Sequence, residues 1–374
     1  MKNPFVYGKE VSGDNFCNRK SEIKELGRDI ENSQNVIVFS QRRFGKTSLI
    51  KEVFRASDKK GICTIYADLY PVSCEEDFIS IYAAAIAKAL HGSLKKSFKD
   101  VGNFFRKLRP SFTVDKTGEI NYSFTIDKSD VSPSLEDVLE SVHRFTDAKK
   151  KKIAVCFDEF QQIALFKTDK LEKTLRSHFQ RHNNISYIFM GSKKHLIRDI
   201  FNNPNRPFYR SGKSFPLEKI EQKELAAFIA GKFKHTEKTI SSELINNLIE
   251  ICETHPYYVQ YMCNILWEST ADKKEATERD LQESLEILLK RESSTYEAAL
   301  DGLTLKQRQL LIALSKALPG DKVFSGKFLR RHNLDSASSM QRILTSLIDK
   351  DLIDKEKNSY TILDIFFKKW LSQL

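Results

Sequence analysis

The sequence predicts an α/β protein in which a parallel sheet is covered by helices on both faces, followed by an all-helical layer and a winged helix-turn-helix. Three observations carry this. From residue 21 to about 235, apolar runs alternate with helical patterns, the signature of strands joined by crossover helices. From about 238 the strand signal stops while helical periodicity continues. From 300 to 374 the order is helix, helix, helix and two short strands.

The bulk numbers fit such a chain. At 374 residues the length suggests two to three domains, each able to bury its own core. A hydrophobic share of 40%, 30% charged residues and a mean hydropathy of −0.43 describe a soluble globular protein. The most apolar windows, such as "ISIYAAAIAKAL" at 79 to 90, fall short of the roughly 20 residues that a bilayer requires. The N-terminus has no apolar core and no small-residue cleavage site, so no secretory signal is read and the cytoplasm is the expected compartment. Six cysteines lie scattered without a CxxC pair, as reduced structural thiols do. The net charge of +11 favours a polyanionic partner through long-range steering, but the basic residues are spread evenly, as on a solvated surface.

In chain order, the expected strands of the sheet are 35–40, 63–69, 152–158, 186–192 and 212–218. The expected helices are 21–33, 46–57, 75–91, 134–148, 170–182, 193–200 and 221–232. The segment 94–130 interrupts the alternation and reads as a rim insertion: a helix, then two strands, "SFTVD" and "INYSFTI", joined through "KTGE". "SPSLEDVLESVHRF" restarts the pattern, with Ser132 or Ser134 as the N-cap. The expected domains are 1–235, 236–295 as a helical lid, and 296–374 as the winged helix.

The loop "SQRRFGKT", residues 40 to 47, joins the first strand to a helix and matches G-x-x-x-x-G-K-[ST] everywhere except its first position. Such a turn aims successive backbone N–H groups at one point, where the helix dipole adds positive potential, and so suits a phosphate. Lys46 would reach the β- and γ-phosphates, and Thr47 would bind Mg2+. Ser40, Gln41, Arg42, Arg43, Phe44, Gly45 and Ser48 complete the expected cradle. Ser40 stands where a glycine is usual, with an expected backbone cost of about 1 kcal/mol.

A second motif, "KKIAVCFDEFQQI" at 151 to 163, is an apolar strand ending in two carboxylates. Asp158 could join Thr47 in holding Mg2+, which takes oxygen ligands and waters. Glu159 could polarise an attacking water. Ser192, at the end of "SYIFMGS", fits either a contact to the γ-phosphate or water, or a helix N-cap. His178 and His182 have i, i+4 spacing but lack the glutamate of a zinc motif, and read as surface histidines.

Five ordered stretches, "FCNRKSEIKEL", "SQRRFGKTSL", "CFDEFQQI", "FMGSKKHLI" and "THPYYVQYMC", together resemble the archaeal-type branch of the STAND (signal-transduction ATPases with numerous domains) and AAA-like P-loop ATPases, over roughly residues 3 to 290. The resemblance implies an additional-strand P-loop NTPase fold with sheet order 5-1-4-3-2, a helical lid and a following winged helix. It implies ATP or ADP held between lid and sheet. Arg19 is the matching residue of a motif that frames the adenine. Pro256 corresponds to a lid proline that contacts base or ribose, with Thr254 where a glycine usually stands. Arg42 and Arg43 match a paired arginine that supports the loop, and Arg206 and Arg210 are either a charge sensor or solvated basic loop residues.

The expected function is that of a Mg2+-dependent ATPase, slow in turnover and acting as a nucleotide-controlled switch. The alternative is a winged-helix regulator that binds double-stranded DNA or a protein and keeps a mainly structural nucleotide site. "SASSMQRILTSLIDKDLI" is a thin basic footprint for reading a major groove. An assembly in which a neighbouring subunit supplies an arginine is a third option. No base-reading motif such as N-K-x-D separates ATP from GTP.

Overall fold

Runs of Val, Ile, Phe and Cys with no polar alternation can be satisfied only where both faces of a strand are covered, and this is what the central strands do. The computed structural model describes residues 2–374 apart from 93–103, 109, 117, 119, 167, 319 and 357–358. It separates into two compact units, one of Asn18–Glu218 and one in which the residues up to Cys17 join Lys219–Leu374.

In the first unit, β1 (Val36–Phe39), β2 (Cys63–Asp68), β5 (Ile153–Asp158), β6 (Ile185–Gly191) and β7 (Lys213–Pro216) form one parallel sheet. Between β2 and β5 the rim hairpin contributes β3 (Ser111–Val114) and β4 (Ile120–Ser123), paired antiparallel. The sheet runs β2-β5-β6-β1-β7. Counted among its own five strands this is 5-1-4-3-2, the expected order. Every residue of β5 and β6 is buried. Phe157 on β5 packs beside the stacked rings of Phe179 and Tyr187, with centroids 5.9 and 6.2 Å away.

Helices α1 (Lys20–Glu31), α2 (Lys46–Asp58), α3 (Glu75–Gly92), α4 (Val131–Lys149), α5 (Lys170–Phe179) and α6 (Lys194–Asn202) connect the strands. Helix α4 starts earlier than its serines suggest: Asp130 holds the N-cap position, so Ser132 and Ser134 both fall inside the first turns. The helix expected after residue 94 lies outside the described residues. The segment behind it is tied to α4 by Asp137, whose carboxylate accepts the backbone N–H groups of Arg106 (3.0 Å), Lys107 (2.7 Å) and Leu108 (3.3 Å).

The second unit contains α7 (Gln222–His235), α8 (Ser242–Ile251), α9 (Pro256–Ser269) and α10 (Glu278–Asp301). It is not wholly helical: β8 (Thr239–Ile240) and β9 (Glu275–Ala276) form a short parallel ladder, too brief to leave a period in the sequence. Capping boxes start α10 at Thr277 and α11 (Leu305–Ser315) at Thr304. Then come α12 (Gly326–Arg331), α13 (Ala337–Asp349), the hairpin of β10 (Ile353–Glu356) and β11 (Ser359–Ile362), and a closing helix α14 (Ile365–Ser372). One apolar core runs through all of this unit, from Phe5 and Ile220 to Leu371. Among the described residues no helix is long and apolar enough to cross a membrane.

Candidate nucleotide site

Parallel strands bring their carboxyl ends to one edge, so the residues that follow β1, β5 and β6 converge there. After β1 the chain turns through residues 40–45 and enters α2 at Lys46. The turn requires two left-handed residues, Arg43 (φ 62°) and Gly45 (φ 85°). Ser40 is not one of them, which corrects the strain expected at that position: its side chain is buried and its hydroxyl donates to the Gln41 carbonyl at 3.1 Å. Gly45 is the N-cap of α2 and has no side chain to offer, so the cap residue itself leaves the first amides of the helix open.

Lys46 is buried, at 6% exposure. Its ammonium curls back over the loop and donates to the carbonyls of Ser40 (3.3 Å) and Gln41 (3.1 Å) and to the Ser40 hydroxyl (3.4 Å). Burial pulls its pKa down to about 8, partly offset by the nearby Glu159 and Asp158 carboxylates. Phe44 and Ser48 are also buried, and Arg42 and Arg43 face solvent.

Thr47 donates to Asp158 Oδ2 at 3.0 Å, and Tyr66 donates to the same oxygen at 2.5 Å. Burial first, then the Asp158 charge, holds the Tyr66 phenol far above its usual titration range, so it remains a donor. Glu159 sits in the left-handed region (φ 52°), which turns its side chain back toward β6. Its Oε2 accepts the Ser192 hydroxyl at 2.9 Å and the Gln161 side-chain amide. Ser192 therefore binds the carboxylate and is not an N-cap; Lys193 precedes α6. Lys46, Thr47, Asp158, Glu159 and Ser192 thus gather at one edge.

This arrangement fits a nucleotide with its metal. An ammonium bonded to neutral acceptors, beside a helix start whose N-cap is a glycine, suits a phosphate. A hydroxyl and a carboxylate in contact are the hard oxygen donors that Mg2+ takes. Among the described residues no cluster of three or more His, Cys, Asp and Glu side chains offers a separate metal site.

The remaining expected residues lie elsewhere. Arg19, buried and left-handed (φ 67°), donates to Glu22 at 2.8 Å and to the Glu218 carbonyl at 2.6 Å, while its Nη2 is buried without a partner among the described residues. Pro256 belongs to the second unit and occupies the first turn of α9, behind two left-handed residues, Glu253 (φ 48°) and Thr254 (φ 58°). The glycine usual at 254 corresponds to that backbone angle. Arg206 is neither a free sensor nor a solvated loop residue: it donates to the buried Glu172 at 2.6 Å. His182 is likewise no surface residue. It is buried, bonded to the Tyr187 hydroxyl at 2.6 Å, and burial pushes its pKa down to about 3.

Tyr66 and Gln161 escape the sequence motifs. The only signal for Tyr66 is its register opposite Cys156, two residues before Asp158. For Gln161 it is one of two adjacent glutamines in an otherwise apolar stretch after the paired carboxylates.

A family model for an ATPase domain predominantly from Archaea matches residues 16–243, and one for a probable winged helix domain matches residues 294–373. No curated protein matches the chain. Among solved structures, a Walker-type ATPase of Pyrococcus abyssi is 16% identical with a TM-score of 0.65, over 98% of this chain and 99% of that one. The ORC2 protein of Aeropyrum pernix, in ADPNP-ADP complexes, is 13% identical with a TM-score of 0.56, over 96% and 95%. The ORC1 protein of the same organism, in complex with DNA, is 11% identical with a TM-score of 0.50, over 96% and 94%. These likenesses are of fold.

Proposed function

Because the chain belongs to the family of ATPase domains predominantly from Archaea, we propose that it is a Mg2+-dependent ATPase that binds ATP or ADP, turns over slowly and works as a nucleotide-controlled switch. The observation that carries the proposal is the buried Lys46 ammonium folded over the 40–45 turn beside the Thr47 and Asp158 pair. Lys46 would hold the β- and γ-phosphates, helped by the backbone amides from Gln41 to Ser48. Thr47 and Asp158 would hold Mg2+, whose chemistry when bound is to offset charge on the phosphate oxygens. Glu159 would take the proton of the attacking water, with Ser192 orienting it. Arg19 would frame the base. The domains that serve this are 1–235 for chemistry, 236–295 as lid and 296–374 as the responding winged helix.

The test is calorimetry of Lys46→Ala with ATP and Mg2+. Loss of binding by at least tenfold supports the proposal; unchanged affinity removes it.

DNA contact through the winged helix is a second reading. It is favoured by Arg330 and Arg331 on α12 and Lys355 on β10, and by the DNA complex of the ORC1 relative in fold. A mobility shift with duplex DNA that weakens steeply with salt supports it; no shift removes it. Sizing with and without ATP-Mg2+ separates a monomeric switch from an assembly.

A further inference from the structure

Gln161 stands in an arrangement that packing alone does not account for. Its side chain is 2% exposed. Its amide nitrogen donates to Glu159 Oε2, the oxygen that also accepts the Ser192 hydroxyl. Its carbonyl oxygen is buried without any partner among the described residues. Leaving a buried acceptor unmade carries a desolvation penalty that an apolar side chain of the same shape would avoid. The amide cannot turn over to relieve this, since its oxygen would then face the carboxylate.

The neighbouring backbone is shaped around the same group. A Cβ on Gly191 would come within 2.4 Å of the Gln161 carbonyl oxygen and of Ile197, so a side chain there would push both from their places. Glu159 itself adopts φ 52°, a left-handed angle unusual for a glutamate. Unmade hydrogen bonds and strained backbone that persist together mark a place where geometry is held for chemistry.

We propose that Gln161 is a positioning residue for Glu159. With Ser192 it grips Oε2 from two sides and leaves Oε1, which accepts no hydrogen bond from any described residue, as the oxygen presented to water. Glu159 touches the reacting water; Gln161 acts only through it. The proposal rests on the reading of Glu159 as the base.

The test compares Gln161→Met, Gln161→Glu and Gly191→Ala in the full chain with Glu159→Gln. Gln161→Met keeps length and volume but removes the donor. It should lower kcat about tenfold, with KM, nucleotide affinity and melting temperature unchanged or the melting temperature slightly raised. Gln161→Glu is the better steric match yet sets a carboxylate against Glu159, and should lower kcat further than Gln161→Met. A space-filling role predicts the opposite ranking. Gly191→Ala, which displaces Gln161 together with Ile197 and leaves the Glu159 side chain intact, should also lower kcat. A crystal structure of Gln161→Met should show the Glu159 carboxylate turned from Ser192, a readout independent of turnover. Parental kcat in Gln161→Met while Glu159→Gln is inactive, or a Glu159 carboxylate unmoved in that crystal, overturns the positioning role alone. Parental turnover in Glu159→Gln overturns the base assignment and the positioning role with it.

Discussion

Tyr66 and Asp158 meet across neighbouring strands: the phenol on β2 donates at 2.5 Å to the same carboxylate oxygen that accepts the Thr47 hydroxyl at 3.0 Å. Outer partners of this kind orient a metal-binding carboxylate, and their loss typically weakens metal affinity about tenfold or more. Tyr66→Phe should therefore raise the Mg2+ concentration needed for half-maximal nucleotide binding by roughly tenfold, while affinity measured in EDTA stays at the parental value. A fluorescent-nucleotide titration at varied Mg2+ reads both. An unmoved Mg2+ midpoint would show the phenol to be only a packing contact.

Lys46 makes stability and binding depend on pH in a predictable sense. Its folded pKa of about 8 lies below the ordinary 10.5, so the folded state pays for the buried charge at neutral pH. Below about 8 both states carry the proton and the penalty is full. Between about 8 and 10.5 the unfolded chain keeps a proton that the folded chain has released, so parental stability rises with pH through that window. Lys46→Met should melt several degrees higher than the parent at pH 7 without nucleotide, and the gap should close by the upper end of the window. Nucleotide affinity of the parent should fall as pH rises past about 8, because the phosphate needs the ammonium. Scanning fluorimetry and calorimetry across pH 6.5 to 10.5 check the two signs.

Backbone strain in the loop belongs to Gly45 and Arg43. Gly45→Ala meets no atom within 4 Å of the new Cβ, so its cost is conformational only, about 1–2 kcal/mol for φ 85°. Ser40→Gly should bring no gain and lose about 0.5–1 kcal/mol, since glycine adds freedom to the unfolded chain where no left-handed angle needs it. Denaturant midpoints of the two variants give the comparison; a stabilised Ser40→Gly would contradict it.

The rim segment depends on one carboxylate. Asp137→Ala removes the acceptor shared by three successive amides, and each unmade amide costs about 1–3 kcal/mol where it cannot reach water. Amide exchange at Arg106, Lys107 and Leu108 should quicken at least tenfold, while exchange in β5 and β6 stays slow. Equal protection in both proteins would assign the anchoring to other contacts.

The sheet was readable because β1, β5 and β6 are unbroken apolar runs between turn residues, and burial on both faces leaves no polar alternation to confuse them. Helix limits were less readable. Ser132 and Ser134 are good caps by type, yet α4 starts at Val131 with Asp130 in the N-cap position. The strand-to-helix turn at 40–47 followed from its spacing. Tyr66, Gln161 and Gly191 did not, because their roles come from strand register and from a void that only a glycine can leave. The same limit applies to His182, whose partner Tyr187 lies across a turn that the helical period of α5 does not reach.

The apolar core that runs unbroken from Phe5 to Leu371 has a practical corollary for anyone dividing the polypeptide. Tyr258 at the head of α9 packs edge-on against Phe366 of α14 at 5.0 Å, and Glu253 pairs with Lys368 at 3.2 Å. A fragment ending near residue 295, or one starting there, would bare leucine and phenylalanine faces and should precipitate when expressed. Soluble fragments of the second unit need the N-terminal residues and the last helix supplied together, as one recombinant piece or as two co-expressed pieces.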